Sequence, residues 1–439
     1  MIRQVSEEGI LFTHVLKWLF LAAIVGLLVG MTSTGFVLFL NLVIETGANA
    51  GWTYWLLPIG LALSAWITSS LVPEAGGQGV EQVVRAIHLR SGKMRWQVIP
   101  AKIVATLLTI GVGGSAGNVG PCVQIGSGLS SFFSDTLSCD LYDRKTLVIC
   151  GVSAGFAAIL GAPLAGALFG LEVLFVGSLA YQVLLPSVVA ALIGHITASS
   201  LGMPDLHFVA AQFPPFHPAL LLFSLLAGGI FGLVSMIFVE CLNGGKRLMY
   251  HIQVSPPIQG AVGGVLLLGM GWLVSPEILG LGKETIQRAL EGGTIVWALV
   301  LGKMLTTALT LNVGGSGGIV LPICFVGATS GSILGWIFGH DPSLFAALGL
   351  TGLLAGAINI PLTAFVLGLE LFGLTSGPYL LLSCTIAYLL SGHRSAIPTQ
   401  LLQFRKAPAL HGPINQEIGE QSRFEKHGEM DERNTGGTN

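Results

Sequence analysis

The sequence predicts an all-α, polytopic membrane protein built from two related halves. Three observations carry this expectation. Only 10% of the 439 residues are charged, against about 25% in a soluble globular chain. The charges that do occur leave long uncharged runs between them. Glycine-rich motifs also recur in the same order roughly 200 residues apart. A chain that is 52% hydrophobic, with a mean hydropathy of +0.78, is too apolar for a disordered polypeptide or an ordinary cytosolic enzyme. Its net charge of −2 offers no pull on a polyanion, so no nucleic-acid partner is expected. The six cysteines (122, 139, 150, 241, 324 and 384) form no CxxC pair and mostly sit within apolar runs. They read as small hydrophobes, and no metal site, disulfide frame or cofactor is expected.

The uncharged runs cover 18–44, 46–73, 103–134, 146–171, 173–204, 206–239, 248–276, 304–340, 342–369 and 371–393. A span needs about 20 apolar residues, so ten or more membrane segments fit. They should be helices, since the alternation of a barrel strand is missing. Met1 to Glu8 is polar, and the apolar run from Trp18 is too long for a signal-peptide core. No cleavable leader is therefore expected, and the first span serves as its own insertion signal. The organisation that follows is an N-terminal segment 1–14, a first membrane repeat 15–200, a connection 201–214, a second repeat 215–403 and a tail 404–439. That tail holds 11 of the charged residues without apolar periodicity, which reads as polar and mobile. Basic residues cluster at Arg85, Arg90, Lys93 and Arg95, at Lys246 and Arg247, and at Arg405 and Lys406. With those clusters cytoplasmic, both termini lie inside.

The internal repeat is explicit. Gly114-Ser115-Ala116-Gly117 before Pro121 lines up with Gly315-Ser316-Gly317-Gly318 before Pro322. Lys102 matches Lys303, Gly77-Gln78-Gly79 with Arg85 matches Gly280-Leu281-Gly282 with Arg288, and Ala162-Pro163-Leu164 with Glu172 matches Ile360-Pro361-Leu362 with Glu370. Paired, glycine-broken helices in two halves point to a transport site at the repeat interface. A helix that stops inside the membrane presents free N–H groups and the positive end of its dipole, which together hold an anion. Close helix packing is the alternative use of such glycines. Their ordered repetition, each cluster followed by proline, favours helix breaks. Both clusters also fit G-x-S-x-G, but that elbow needs a preceding strand in a soluble α/β sheet. An intramembrane serine hydrolase would use Ser115 or Ser316 with His195, a histidine more simply read as structural or interfacial.

The motifs resemble the CLC family of chloride channels and proton-coupled chloride antiporters, from about residue 18 to 403. The family's G-S-G-I-P resembles Gly77-Gln78-Gly79-Val80-Glu81, its G-R-E-G-P resembles Gly117-Asn118-Val119-Gly120-Pro121, and its G-x-F-x-P resembles Gly318-Ile319-Val320-Leu321-Pro322. Ala162 to Glu172, Leu305 to Thr310 and Pro361 to Ala364 are similar to further family stretches. The resemblance implies a CLC-type inverted repeat of tilted, broken helices and a homodimer with one pore per subunit. It also implies a multi-pass protein of a bacterial-type inner (plasma) membrane, with a chloride-like anion as its partner and no enzymatic activity.

The departures matter most. The family's gating glutamate falls at Val119, and the antiporters' internal proton glutamate at Val173. Proton transfer needs an ionisable group within hydrogen-bond reach, and valine has none. The resemblance therefore implies passive anion conduction without family-type proton coupling. The arginine of the second motif becomes Asn118, and the serine of the first becomes Gln78. The third motif's phenylalanine becomes Val320. The family's tyrosine becomes Ile397 when Ser395-Ala396-Ile397 is set on its S-I-Y. Gln78 retains amide donors, whereas Ile397 cannot donate. The expected anion site comprises Gln78, Gly79, Gly117, Asn118, Val119, Gly120, Gly318, Ile319, Val320 and Ile397. Two lost aromatics suggest a wider inner passage. Glu172 and Glu370, at matching places, are expected to share a structural role, although an intramembrane carboxylate is also a functional candidate. Coupled exchange through Glu81 or Glu172 is the alternative, and a solvated loop carboxylate is the simpler account of Glu81.

Overall fold

The computed structural model describes residues 2–50, 53–204, 213–410 and 414–419. Sixteen α-helices are found among them, eight in each half. The first half holds α1 (Ile2–Ala50), α2 (Leu57–Trp66), α3 (Val80–Leu89), α4 (Val98–Ile110), α5 (Val119–Thr136), α6 (Leu141–Leu160), α7 (Pro163–Glu172) and α8 (Leu184–Ser200). The second holds α9 (Pro218–His251), α10 (Pro256–Leu273), α11 (Lys283–Leu290), α12 (Trp297–Asn312), α13 (Val320–Phe338), α14 (Pro342–Ile358), α15 (Pro361–Phe372) and α16 (Gly377–Leu390). The two sets match one to one. Part of the 201–214 connection and part of the 404–439 tail lie outside the described residues.

The long uncharged runs are cut where backbone chemistry demands it. Run 103–134 is divided between α4 and α5, and run 304–340 between α12 and α13. Within 146–171, α6 ends at Gly161 in the left-handed region (φ +67) and α7 restarts on Pro163. Its twin is Asn359 at φ +55 between α14 and α15, followed by Pro361. Glycine and asparagine tolerate that conformation, and proline suits the first helical turn. Among the described residues, six helices are long and apolar enough to cross a membrane, and four more are apolar but only 10–17 residues long.

The central, most buried helices are α14 and its partner α13, followed by α6 and its partner α5. Glycine makes this contact possible. A Cβ on Gly126 or Gly151 would lie 2.8 Å or 2.6 Å from the other's carbonyl oxygen. The twins Gly327 and Gly349 behave alike, at 2.3 Å and 2.1 Å. The close-packing use of glycine, set second in the sequence reading, therefore operates here alongside helix breaking.

Two expectations change at the ends of the chain. The polar segment 1–14 is no separate unit, since α1 runs through it without a break. The start of the tail is docked. β1 (Phe175–Val176) pairs in parallel with β2 (Leu401–Leu402), and Leu402 exchanges backbone hydrogen bonds with Gln416 and Asn415. Ile418 buries its side chain with Val176 and Leu402. One apolar residue within a polar stretch carries too little periodicity to be noticed in sequence.

Candidate functional site

Three loops converge where α3, α5 and α13 begin. The N–H of Gly117 donates to the Gly318 carbonyl at 2.7 Å, and the N–H of Gly318 returns a bond to the Gly117 carbonyl at 2.5 Å. The N–H of Gly317 donates to the Gly77 carbonyl at 3.2 Å. The first motif closes on the second: a Cβ on Gly120 would sit 2.2 Å from the Gln78 carbonyl oxygen and 2.8 Å from Gly318 Cα. A Cβ on Gly79, at φ +83, would sit 2.6 Å from the Gly120 carbonyl oxygen. Gly113 and Gly314 take φ +102 and +98 just upstream. Glycine is needed at these points because the backbones touch and the turns are left-handed.

The frame around the loops is two-fold. The Nζ of Lys102 donates to the Ala75 and Gly77 carbonyls at 3.2 and 2.8 Å, and that of Lys303 to the Ile278 and Gly280 carbonyls at 3.3 and 2.7 Å. Ser115 N–H donates to Thr310 Oγ1, and Ser316 N–H to Thr109 Oγ1. Glu172 accepts from the Leu362 and Thr363 N–H groups and the Thr363 hydroxyl, while Glu370 accepts from the Leu164 and Ala165 N–H groups. Each carboxylate thus caps the first turn of the other half's helix, α15 or α7. These backbone and lysine contacts come in mirrored pairs, as an inverted repeat requires, while the Thr363 hydroxyl has no counterpart because the matching residue is Ala165.

The starts of α5 and α13 are left open. Asn118 stands at the N-cap of α5, where asparagine normally caps, yet its side chain makes no capping bond. Both polar atoms of its carboxamide are buried without a protein partner. Ile319 is the N-cap of α13 and cannot cap at all. Val119 and Val320 are the first helical residues, both buried. Pro121 and Pro322 remove the third N–H of each helix. What remains at the Gly117–Gly318 junction is two helix ends with unspent donors and the positive ends of their dipoles.

The other expected residues are placed as follows. Gln78 lines a cavity of about 240 Å³ with Gly77, Glu81 and Arg85, and its carbonyl oxygen Oε1 has no partner. Ile397 is buried in the main core, while its neighbours Ala396 and Pro398 line that cavity. Val173 packs in the same core, and its carbonyl accepts from Gln400 Nε2 at 3.0 Å. The Ser115 and Ser316 hydroxyls pair with threonine hydroxyls and a backbone carbonyl, not with His195. No nucleophile–base pair joins them.

Sequence reasoning missed three contributors. Gln124, buried one turn into α5, donates to the Glu74 carbonyl at 2.6 Å while its own carbonyl oxygen, close to Gly79, stays unpaired. Asn312 and Lys246 line the cavity. A second carboxamide six residues after Asn118, in the uncharged run 103–134, was the available signal for Gln124. The other two needed the fold.

A family sequence profile described as "Voltage gated chloride channel" matches residues 60–392. The chain belongs to the CLC family. This CLC chain is 30% identical to the "Chloride/fluoride channel protein" of Pseudomonas syringae pv. tomato, over 94% of this chain and 92% of that one. It is 29% identical to the "H(+)/Cl(-) exchange transporter ClcA" of Vibrio vulnificus, over 84% and 85% of the two chains. Among solved structures it is similar to a CLC-type fluoride/proton antiporter, with TM-score 0.81, 28% identity and 88% and 98% coverage. A slow cyanobacterial Cl−/H+ antiporter shares the fold with TM-score 0.75 at 20% identity, over 85% and 94% of the chains. As a CLC protein the chain is a multi-pass membrane protein of a family of anion channels and transporters.

Proposed function

We propose that this CLC protein conducts small chloride-like anions passively across the membrane, one pore per subunit of a homodimer, without family-type proton coupling. The observation that carries the reading is the junction at Gly117 and Gly318. Two uncapped helix starts meet there, and the buried Asn118 carboxamide has no protein partner. Buried polar groups require a partner, and an anion or its water of hydration supplies one beside helix dipoles. Gln78, Gly79, Gly120, Ile319 and Val320 complete the surroundings, with Val119 at the gate position and Ile397 behind the inner cavity.

Val119 and Val173 support the absence of coupling, since neither can carry a proton. The two carboxylates that could substitute are both engaged. Glu172 caps α15, and Glu81 faces Arg85 and Lys246. Glu81 faces Arg85 and Lys246 and its carbonyl accepts from Thr399, next to the Pro398 and Gln400 carbonyls that hold the docked tail, which supports a cytoplasmic C-terminus beside these basic residues. The decisive experiment drives anion efflux from liposomes across chloride, bromide, nitrate and fluoride while recording pH. Efflux without proton movement is expected. Proton movement against a gradient, in fixed ratio to the anion, overturns the reading.

The names of two relatives, an exchange transporter and an antiporter, favour a second reading of coupled exchange through Glu81 or Glu172. In that case Glu81→Gln or Glu172→Gln abolishes proton flux while anion flux persists.

A further inference from the structure

The basic residues Arg90, Lys93 and Arg95 follow α3 and line neither the Gly117–Gly318 junction nor the cavity at Gln78. They line a second cavity, of about 310 Å³, with Trp96 and with Phe132 and Asp135 from the end of α5. Two of these charges are spent. Arg90 pairs with Glu74, and Asp135 accepts from Arg144 at 2.7 Å. Lys93 and Arg95 are exposed and have no ion-pair partner among the described residues. The loop that carries them is fixed. Met94 is buried and its N–H donates to Ser131 Oγ on α5 at 3.0 Å, while Gly92 turns at φ +78 beside Val148 of α6. Gln97, also in the lining, is the N-cap of α4 and makes no side-chain capping bond, so the positive end of that helix dipole opens at the same place. The walls are apolar and face outward, with Trp96 58% exposed and Phe132 51% exposed. The position is a membrane boundary. The uncharged run 103–134 ends at Asp135, and its partner Arg144 follows Asp143, which pairs with Lys17 just before the uncharged run from Trp18.

We propose that this cleft binds the phosphodiester headgroup of an anionic membrane lipid, held by Lys93 and Arg95, with Trp96 and Phe132 against the start of its acyl chains. Charge selects the sign of the occupant. Two unpaired cations beside a helix start suit one phosphodiester anion, and an arginine fork can hold two of its oxygens at once. A zwitterionic lipid offers the same phosphate but brings its own cation into a cationic cleft, which Coulomb repulsion disfavours. Depth selects a lipid over free phosphate. Tryptophan favours the headgroup level of a bilayer, and basic pockets between helices at that level take anionic headgroups. The outward Trp96 and Phe132 side chains offer apolar contact that a lipid can use and inorganic phosphate cannot. The site shares no lining residue with the cavity at Gln78, so it stands whether transport is passive or coupled.

The test uses the full chain in detergent micelles. Phosphatidylglycerol or phosphatidylcholine is titrated in while the melting temperature is recorded, and retained lipid is counted by native mass spectrometry. A rise that saturates with phosphatidylglycerol but not with phosphatidylcholine is expected, with phosphatidylglycerol retained on each subunit. Lys93→Gln and Arg95→Gln should each raise the half-saturating lipid fraction about fivefold, the effect of one cation at a membrane surface. Arg95→Lys keeps the charge and should lose less. Arg247→Gln, at an exposed cation outside the cleft, should leave the fraction unchanged. Should Arg95→Gln fail to fold, Lys93→Gln decides. An equal rise with phosphatidylcholine, an equal loss in Arg247→Gln, or an unchanged half-saturation in the cleft variants overturns the proposal, as does a melting temperature that no lipid moves. A rise given in full by inorganic phosphate also overturns it and makes the cleft a free-phosphate site.

Discussion

At the residue scale the junction tolerates almost nothing. The neighbours that a Cβ on Gly120 would meet are the Gln78 carbonyl and Gly318 Cα, both backbone. Backbone cannot rotate away as a long side chain can, so Gly120→Ala should cost at least about 3 kcal/mol, the upper end of overpacking. Thermal unfolding of the purified protein measures this. Val119, the buried first residue of α5, is a different case, since it carries no ionisable group. Val119→Glu places a carboxylate beside the helix ends, where it competes with the anion, so passive flux should fall several-fold in stopped-flow efflux. Unchanged flux would remove Val119 from the gate position.

At the element scale the repeat is held by reciprocal caps. Glu172 takes three donors at the start of α15, and Glu370 takes two at the start of α7. Glu172→Gln replaces a carboxylate that accepts three hydrogen bonds, two of them from a helix N-terminus. A loss of about 2 kcal/mol is expected, read as a lowered melting temperature with anion selectivity retained. Full stability combined with altered proton flux would instead make Glu172 a proton carrier. The buried lysines act alike, each tying two carbonyls of the loop before α3 or α11. Lys303→Met leaves the Gly280 carbonyl unpaired, while the Ile278 carbonyl keeps the Thr306 hydroxyl, and should destabilise by about 2 kcal/mol. Sequence marked these lysines and glutamates as repeat twins and anticipated a shared structural role for the glutamates. It could not name the partners, because each lies roughly 25 or 200 residues away and the pairing exists only after the halves meet.

At the scale of the whole molecule, the described residues 414–419 are docked on the helical body. Residues 414–419 lie along 398–402, the stretch that also carries Gln400 to the Val173 carbonyl and supplies Pro398 to the cavity at Gln78. Ile418→Ala should lower stability by about 2 kcal/mol, the lower end for a buried isoleucine near the surface, with a measurable drop in melting temperature. An unchanged melting temperature would mean that the segment is held by its backbone bonds alone.

The sequence by itself determined the membrane class, the two halves, the places where helices stop and the family. It also determined what Val119 and Val173 cannot do. These follow from composition, from local backbone chemistry at glycine and proline, and from side-chain type, all of which are properties of the chain read in order. Only the tertiary structure decided that Asn118 is left without a partner, that Gly120 is wedged between Gln78 and Gly318, that Glu172 and Glu370 exchange caps, and that Glu81 faces cations from two helices. Each of these is a distance between groups far apart in the chain. Such distances are set by how the two halves pack, and no local pattern encodes them.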